Sequence, residues 1–296
     1  MKKKAAFVSL FLSFIISIML TKNVNAIASL NYPGNYCLSF DGVDDYIVCS
    51  SLDSYNVSKF TIEFWMKPKY PIQNGSDHVY GHHYGSLVSC GDGWTVEFDY
   101  KFGELIVGIK HGDIMSAVHG GRQSWETSWH HIAVVYDPDL PDLNLKVYVN
   151  GTLDWYHGPD LGTIVFAFTN LKIGQPQSEW FARWAFGGLI DEVRYWNVCR
   201  SSLEINGARN GVLDYSELNS PELLGYWRFD EGIGTSSQDY SLYQNNALFA
   251  TSPSDPSWVD YGAPIVPEFA PSLIMQLFMI ATLLAIIAHR KKHSRL

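Results

Sequence analysis

Phe186-Gly-Gly-Leu-Ile-Asp-Glu-Val-Arg-Tyr-Trp-Asn197 decides how this chain folds. The run is rich in β-branched and aromatic residues and is entered through a glycine pair, the pattern of a strand that follows a tight turn. A strand shows alternate residues to opposite faces. Period two therefore predicts Leu189, Asp191, Val193 and Tyr195 on one face and Ile190, Glu192, Arg194 and Trp196 on the other.

Working outward, most of the chain reads the same way. Cys37-Leu-Ser-Phe-Asp-Gly-Val-Asp-Asp-Tyr-Ile-Val-Cys49 reads as strand, turn, strand, and Phe60 to Lys67 alternates up to Pro68. Trp94–Tyr100 and Leu105–Lys110 form a hairpin pattern around Lys101-Phe-Gly-Glu104. Trp129–Tyr136, Leu145–Val149 (closed by the turn pair Asn150-Gly151), Thr169–Gly174, Leu224–Asp230 and Ala247–Phe249 complete the extended segments. Arg200–Asn210 is the one convincing soluble helix, with Ser201 or Ser202 as cap and Glu204 in its first turn. Short strands with almost no helix predict an all-β fold, a jelly-roll sandwich of two antiparallel sheets.

The two ends differ from the middle. Lys2–Lys4, the apolar run Ala5–Leu20 and the small-residue site Val24-Asn25-Ala26 predict a signal peptide over residues 1–26. Residues 27–262 form the domain, and 263–269 a linker. Residues 270–289 form a transmembrane helix, its apolar run about 28 Å long at 1.5 Å per residue. The tail 290–296 carries Arg290, Lys291, Lys292 and Arg295, which places it in the cytoplasm and the domain outside the cell.

Eight of the 21 basic residues and one of the 30 acidic residues lie outside 27–264, leaving 13 basic and 29 acidic residues, a net charge of −16. That balance excludes nucleic acid as a partner. Four cysteines remain. Cys37 and Cys49 are equidistant from Val43, so a hairpin there would set them opposite each other as a disulfide; the alternative is two separate thiols. Asn56, Asn74 and Asn150 stand in glycosylation sequons, although Asn150 can equally serve only its turn. His78, His82 and His83 share a loop, but no metal-binding spacing is met.

Leu38–Tyr46, Phe60–Trp65, Trp129–Tyr136, Val147–Gly151, Leu171–Gly174 and Gly188–Asn197 stand in the order seen in laminin-G-like jelly rolls, and over residues 35–260 the chain resembles this part of the concanavalin A-like lectin/glucanase superfamily. Val266-Pro-Glu-Phe269, the apolar span and the basic end also resemble the sorting signals of archaeal surface proteins processed by archaeosortase-like enzymes; an ordinary single-pass anchor is the alternative.

The first resemblance implies a structural calcium held by Asp191 with oxygens near Asp41-Gly42, and by Asp239 as a weaker candidate. Enzymes of the fold carry Glu-x-Asp-x-(x)-Glu on one strand. Here Glu97 and Asp99 share a face, but Lys101 takes the place of the second acid and Glu104 lies beyond the turn, so no catalytic residue is assigned. Fold and aromatic content together point to sugar stacking by Tyr80, Trp125, Trp155, Tyr156, Trp180 and Trp184, with Trp65, Trp129, Trp196 and Trp227 in the core. The expected function is a membrane-anchored surface module that binds glycans or other surface proteins in adhesion or envelope organisation. The alternatives are a glycan hydrolase or lyase and a purely structural envelope protein.

Overall fold

The computed structural model describes residues 35–49, 57–69, 84–91, 93–111, 114–120, 125, 127–140, 142–157, 170–176 and 185–265. The predicted signal peptide, membrane span and basic tail lie outside these residues, as do Val266-Pro-Glu-Phe269, Asn56, Asn74, Tyr80, Trp180, Trp184, His78, His82 and His83. Among the described residues no helix is long and apolar enough to cross a membrane.

The strands run in chain order as β1 (Cys37–Asp41), β2 (Ile47–Cys49), β3 (Phe60–Pro68), β4 (Tyr84–Cys90), β5 (Trp94–Asp99), β6 (Glu104–His111), β7 (Ile114–Gly120) and β8 (His130–Tyr136). Then come β9 (Leu145–Val149), β10 (Thr152–His157), β11 (Leu171–Ile173) and β12 (Gly187–Trp196), followed by two short helices, α1 (Ser202–Ala208) and α2 (Tyr215–Leu218). β13 (Leu223–Trp227), β14 (Ser236–Ser237), β15 (Ala247–Phe249) and β16 (Ser257–Val259) close the domain. The first sheet has the order β10-β9-β8-β3-β12-β1-β16, with β13 paired to the far half of β12; the second has the order β14-β15-β2-β11-β4-β5-β6-β7. One continuous apolar core lies between them, including Phe60, Trp94, Tyr136 and Tyr195, with Phe60 stacked on Trp94 at 4.7 Å. Two antiparallel sheets around one core are the predicted sandwich.

β12 sits at the centre of the first sheet, yet it does not alternate as its sequence suggests. Opposite β3, Asp191 pairs with Trp65 and Arg194 with Glu63, so three steps on β12 meet two on β3. Glu192 occupies the left-handed region, φ 52°. This bulge shifts the phase by one residue. Ile190, Val193 and Tyr195 face the core together, whereas strict alternation would have put Asp191 there. Both acids move to the outer face, where polar partners exist. Gly188 earlier in the strand is also constrained: its φ is 154° and a Cβ would lie 2.4 Å from the Lys67 carbonyl oxygen.

The outer face of this sheet is roofed by residues 198–227. Ile205 of α1 packs on Ala133, Val135 and Tyr148, and Leu213 and Leu223 pack with Trp196 and Tyr226. The predicted helix forms with Ser201 and Glu204 as a capping box, and α2, not foreseen from the sequence, is capped the same way by Asp214 and Glu217. Under the roof, Arg194 donates to Glu192 at 2.9 Å, to the Ala208 carbonyl at 2.9 Å and to the Gly211 carbonyl at 2.6 Å. Tyr226 donates its hydroxyl to the same Glu192 oxygen. Trp65 donates to the Arg209 carbonyl at 2.9 Å. One guanidinium thus neutralises the bulged acid and satisfies carbonyls at and beyond the C-terminal end of α1.

The Cys37–Cys49 bridge does not form, and neither of these cysteines is in a disulfide. The Asp41–Asp45 turn carries the chain across the sandwich instead of folding a hairpin. Cys37 pairs with Val259 in the first sheet, and Cys49 with Leu171 and Ala247 in the second. The first and last described segments meet: Gly262 donates its amide to the Asn35 carbonyl at 2.7 Å.

Arg194→Ala strips Glu192 of its buried counter-charge and frees both carbonyls. Denaturant unfolding is expected to show a loss of about 3–5 kcal/mol, the usual cost of orphaning a buried charge; a loss under about 1 kcal/mol would remove the guanidinium from this role. Burial raises Asp230 to about 7 against the pull of Arg228, which donates to it at 2.6 Å. The folded chain therefore keeps a proton that the unfolded chain releases near pH 4. That contribution is complete below pH about 4 and is lost as the pH rises through 7. The melting temperature is expected to fall between pH 5 and pH 8, and to fall less in Asp230→Asn.

Candidate functional site

The outer face of the second sheet carries three polar rows. β4, β5 and β6 are neighbours, and their register aligns Tyr84, Asp99 and Glu104 across the sheet. The next row is Ser86, Glu97, Ile106 and His119, the last on β7. The third is Lys172 (on β11), Ser89, Thr95, Gly108 and Ala117. Residues aligned this way place their Cβ atoms about 5 Å apart, so each row is contiguous. The alternate residues Val88, Val96, Phe98, Leu105 and Val107 are core, which leaves the polar set no choice of face.

The first row is the most acidic. The β5–β6 hairpin turns tightly enough to bring Glu104 directly opposite Asp99. The turn spans Tyr100–Gly103, so the acid that seemed to lie beyond it folds back beside its partner. Asp99 is 1% exposed. Its Oδ1 accepts the amides of Lys101 at 2.7 Å and Phe102 at 3.1 Å, which fixes the turn. Its Oδ2 is buried and has no hydrogen-bond partner among the described residues. Burial, then Asp99, Glu97 and Glu104, raise the Tyr84 phenol above its ordinary range, so it stays protonated and able to donate. His119 is half-exposed and stands 3.5 Å from a Glu104 oxygen. In the lower rows the hydroxyls of Ser86 and Thr95 approach to 3.2 Å, and Lys172 donates to Gln175 at 2.7 Å while lying 3.9 Å above the Tyr46 ring.

The aromatic residues expected to stack on sugar are not brought together. Trp125 is core: 2% exposed, with its indole donating to the Gly103 carbonyl at 2.7 Å and its ring edge-on to Phe98. Trp155 and Tyr156 are adjacent on β10 and point to opposite faces. Trp155 is half-buried and closes the sandwich edge over Gly120, where a Cβ would fall 2.2 Å from the indole. Tyr156 is 60% exposed on the outer face of the first sheet. Of the four tryptophans expected in the core, Trp227 lies between the sheets, Trp65 and Trp196 are buried outside that core, and Trp129 is only half-buried.

Asp191, Asp41 and Asp239 do not converge either. Asp191 accepts the amides of Glu192 at 2.9 Å and Ala263 at 2.7 Å. It sits at the Cys37 end of β1, four strand residues (about 13 Å) from Asp41. Asp239 accepts from Tyr226, Ser241 (amide and hydroxyl) and Asn245 at 2.7–2.9 Å, which uses both oxygens for the loop. Asp41 instead gathers with Asp44 and Asp45, whose carboxylate oxygens lie within 4.8 Å of one another. Burial and the surrounding acids raise Asp45 to about 6, although the Asp41 amide partly offsets them. Asn150 is surface-exposed, and its side-chain oxygen accepts the His131 amide at 3.0 Å, a turn role.

A candidate carbohydrate-binding protein of Bacteroides ovatus ATCC 8483 superposes with a TM-score of 0.58 at 18% identity, over 79% of this chain and 62% of its own, so the chain spans less than two thirds of that protein. The heptameric SAP-like pentraxin of Limulus polyphemus gives 0.45 at 16% identity, over 58% of this chain and 80% of its own. The CBM40 module of a Ruminococcus gnavus IT-sialidase gives 0.43 at 15% identity, over 57% and 97%. No curated protein matches the sequence. The Laminin_G_3 family, described as the concanavalin A-like lectin/glucanases superfamily, matches residues 41–206, more than half of the chain, and the chain belongs to it.

Proposed function

We propose that this chain is a carbohydrate-binding module of the cell surface, exported by residues 1–26 and held by residues 270–289, that serves adhesion or envelope organisation by engaging glycans or glycosylated surface proteins. The observation that carries the reading is the set of polar rows on the outer face of the second sheet. Hydroxyl, carboxylate, imidazole and ammonium groups lie in register there, most of them buried and His119 half-exposed, and sugars are recognised by such fixed donors and acceptors. Membership of a superfamily named for lectins and glucanases, and the shared fold of the Bacteroides ovatus protein, support it. Binding of the purified chain to a panel of polysaccharides tests it. At least one is expected to bind, with Glu97→Gln weakening it about tenfold, the worth of one charge-assisted hydrogen bond. No binding across the panel overturns the reading.

The return of Glu104 to Asp99 favours a second reading, hydrolysis by paired carboxylates. Against it, Asp99 spends one oxygen on its turn. Reducing-sugar release from the same polysaccharides, abolished in Glu97→Gln, would establish hydrolysis; the binding-module reading expects none.

A structural calcium belongs to the same proposal. Asp41, Asp44 and Asp45 supply the hard oxygen donors such an ion takes, on the turn that joins the two sheets. The ion would lower local repulsion and stiffen the crossing. Melting with calcium is expected at a higher temperature than with chelator at pH 7.5. The difference should shrink at pH 5, because Asp45, raised to about 6, is then protonated. Identical midpoints at pH 7.5 would exclude the ion.

A further inference from the structure

We propose that the outer side of the first sheet, with its roof, lies against a lipid bilayer through exposed apolar side chains, so that the second sheet faces away from the membrane. This rests on the anchoring by residues 270–289 in the proposed function and adds the orientation it imposes. After β16 the chain turns back over the first sheet. Cys37 donates its thiol to the Tyr261 carbonyl at 3.4 Å, and Ala263 donates its amide to Asp191 at 2.7 Å. Cys37 alternates with core Leu38, and Asp191 lies on the outer face, so residues 261–263 run across that face. Ile265, the last residue the structure describes, is five residues from the start of the span. Fully extended, that stretch reaches at most about 18 Å. A domain of this size has a radius of gyration of about 18 Å. The tether is short against the body it carries, so the side it leaves from stays next to the lipid headgroups.

The surface of that side suits this position. The bulge at Asp154 sets Leu153 opposite Tyr148 and Tyr156 opposite Lys146, so the two share the outer face although they are three residues apart. Regular alternation would have turned one of them inward. They are 44% and 60% exposed. On α1, Leu203 is two residues from the buried Ile205, about 200° around the helix. It therefore points away from the sheet, and it is 83% exposed, as is Tyr215 at the start of α2. Tyr261, beside the exit, is 53% exposed, and the Lys67 ammonium stands 4.3 Å from its ring centre. Tyrosine rings and lysine stems are apolar bodies with polar tips, the side chains that settle at a lipid–water boundary. The excess of acid over base across residues 27–264 gives no attraction to anionic headgroups, so the contact is apolar in kind.

The test uses the full chain in phosphatidylcholine vesicles, with Cys199→Ser to remove the half-buried thiol. One spin label is placed in turn on Leu203→Cys, Tyr261→Cys and Leu248→Cys. Leu248 is the control: it is 54% exposed on β15 and alternates with core Ala247, which sets it on the outer face of the second sheet. Each label's collisions with oxygen, which concentrates in lipid, are compared with its collisions with a water-soluble nickel chelate. The oxygen-to-nickel ratio at Leu203 and Tyr261 is expected to exceed that at Leu248 by at least about threefold, as for side chains at the headgroup boundary. Equal ratios at all three positions, or the highest ratio at Leu248, overturn the orientation while the chain still floats with the vesicles. A chain that leaves the vesicles on washing with alkaline carbonate removes the anchoring, and the orientation with it; glycan binding by the polar rows would stand.

Discussion

Two adjacent acids in the central strand of a sandwich cannot both be kept out of the core by simple alternation, and the resolution of that conflict organises the first sheet. The residue absorbed at Glu192 costs on the order of 1–3 kcal/mol of backbone strain. It brings Ile190, Val193 and Tyr195 onto one apolar face and hands Asp191 and Glu192 to the other. Buried carboxylates then need partners. Arg194 and Tyr226 meet Glu192, and backbone amides meet Asp191. The roof of residues 198–227 follows from the same need, since Arg194 reaches its carbonyls and Thr61 bonds the Val198 carbonyl and the Arg200 amide. The sheet and its cover form one electrostatic unit.

The second sheet buries acids too, with Asp99, Glu97 and Glu104 at 1%, 5% and 8% exposed. Its outer polar rows need only keep their phase with the core, so their chemistry is open to specialisation. The tight β5–β6 turn shows how little is required: shorten the loop by one residue and Glu104 would lose its place against Asp99. The two sheets meet at Asp41–Asp45, where the chain crosses and three acids crowd together. Both sheets thus carry buried acids on their outer faces, Asp191 and Glu192 on the first and Glu97, Asp99 and Glu104 on the second.

Much of this was legible from residues alone. Strands with strong alternation and aromatic content, such as Phe60–Pro68 and His130–Tyr136, formed where expected, and so did the helix announced by Ser201 and Glu204. β4, with Gly85, Ser86 and Ser89 in place of bulky residues, and β10, broken by the irregularity at Asp154, lack that signal and are missing from the extended segments the sequence predicts. Period two failed at β12 because a bulge leaves no mark in composition; the one hint was an Asp-Glu pair inside a core strand. Trp125 was misread because an indole in a loop looks exposed until the loop is seen folded onto Phe98. Cys37 and Cys49 were misread because a turn that changes sheets has the same sequence as one that folds a hairpin. The acidic row was hidden by a single position, since the turn was taken to end at Glu104 and not before it.

The contact between Asn35 and Gly262 sets how the whole body hangs. The polypeptide enters and departs at one spot, with β1 and β16 running side by side from it. Whatever lies upstream and downstream, tugging or swivelling there acts on a single pivot and does not wrench one sheet against the other. The polar rows lie on the other layer of the sandwich, away from the strands that hold this junction.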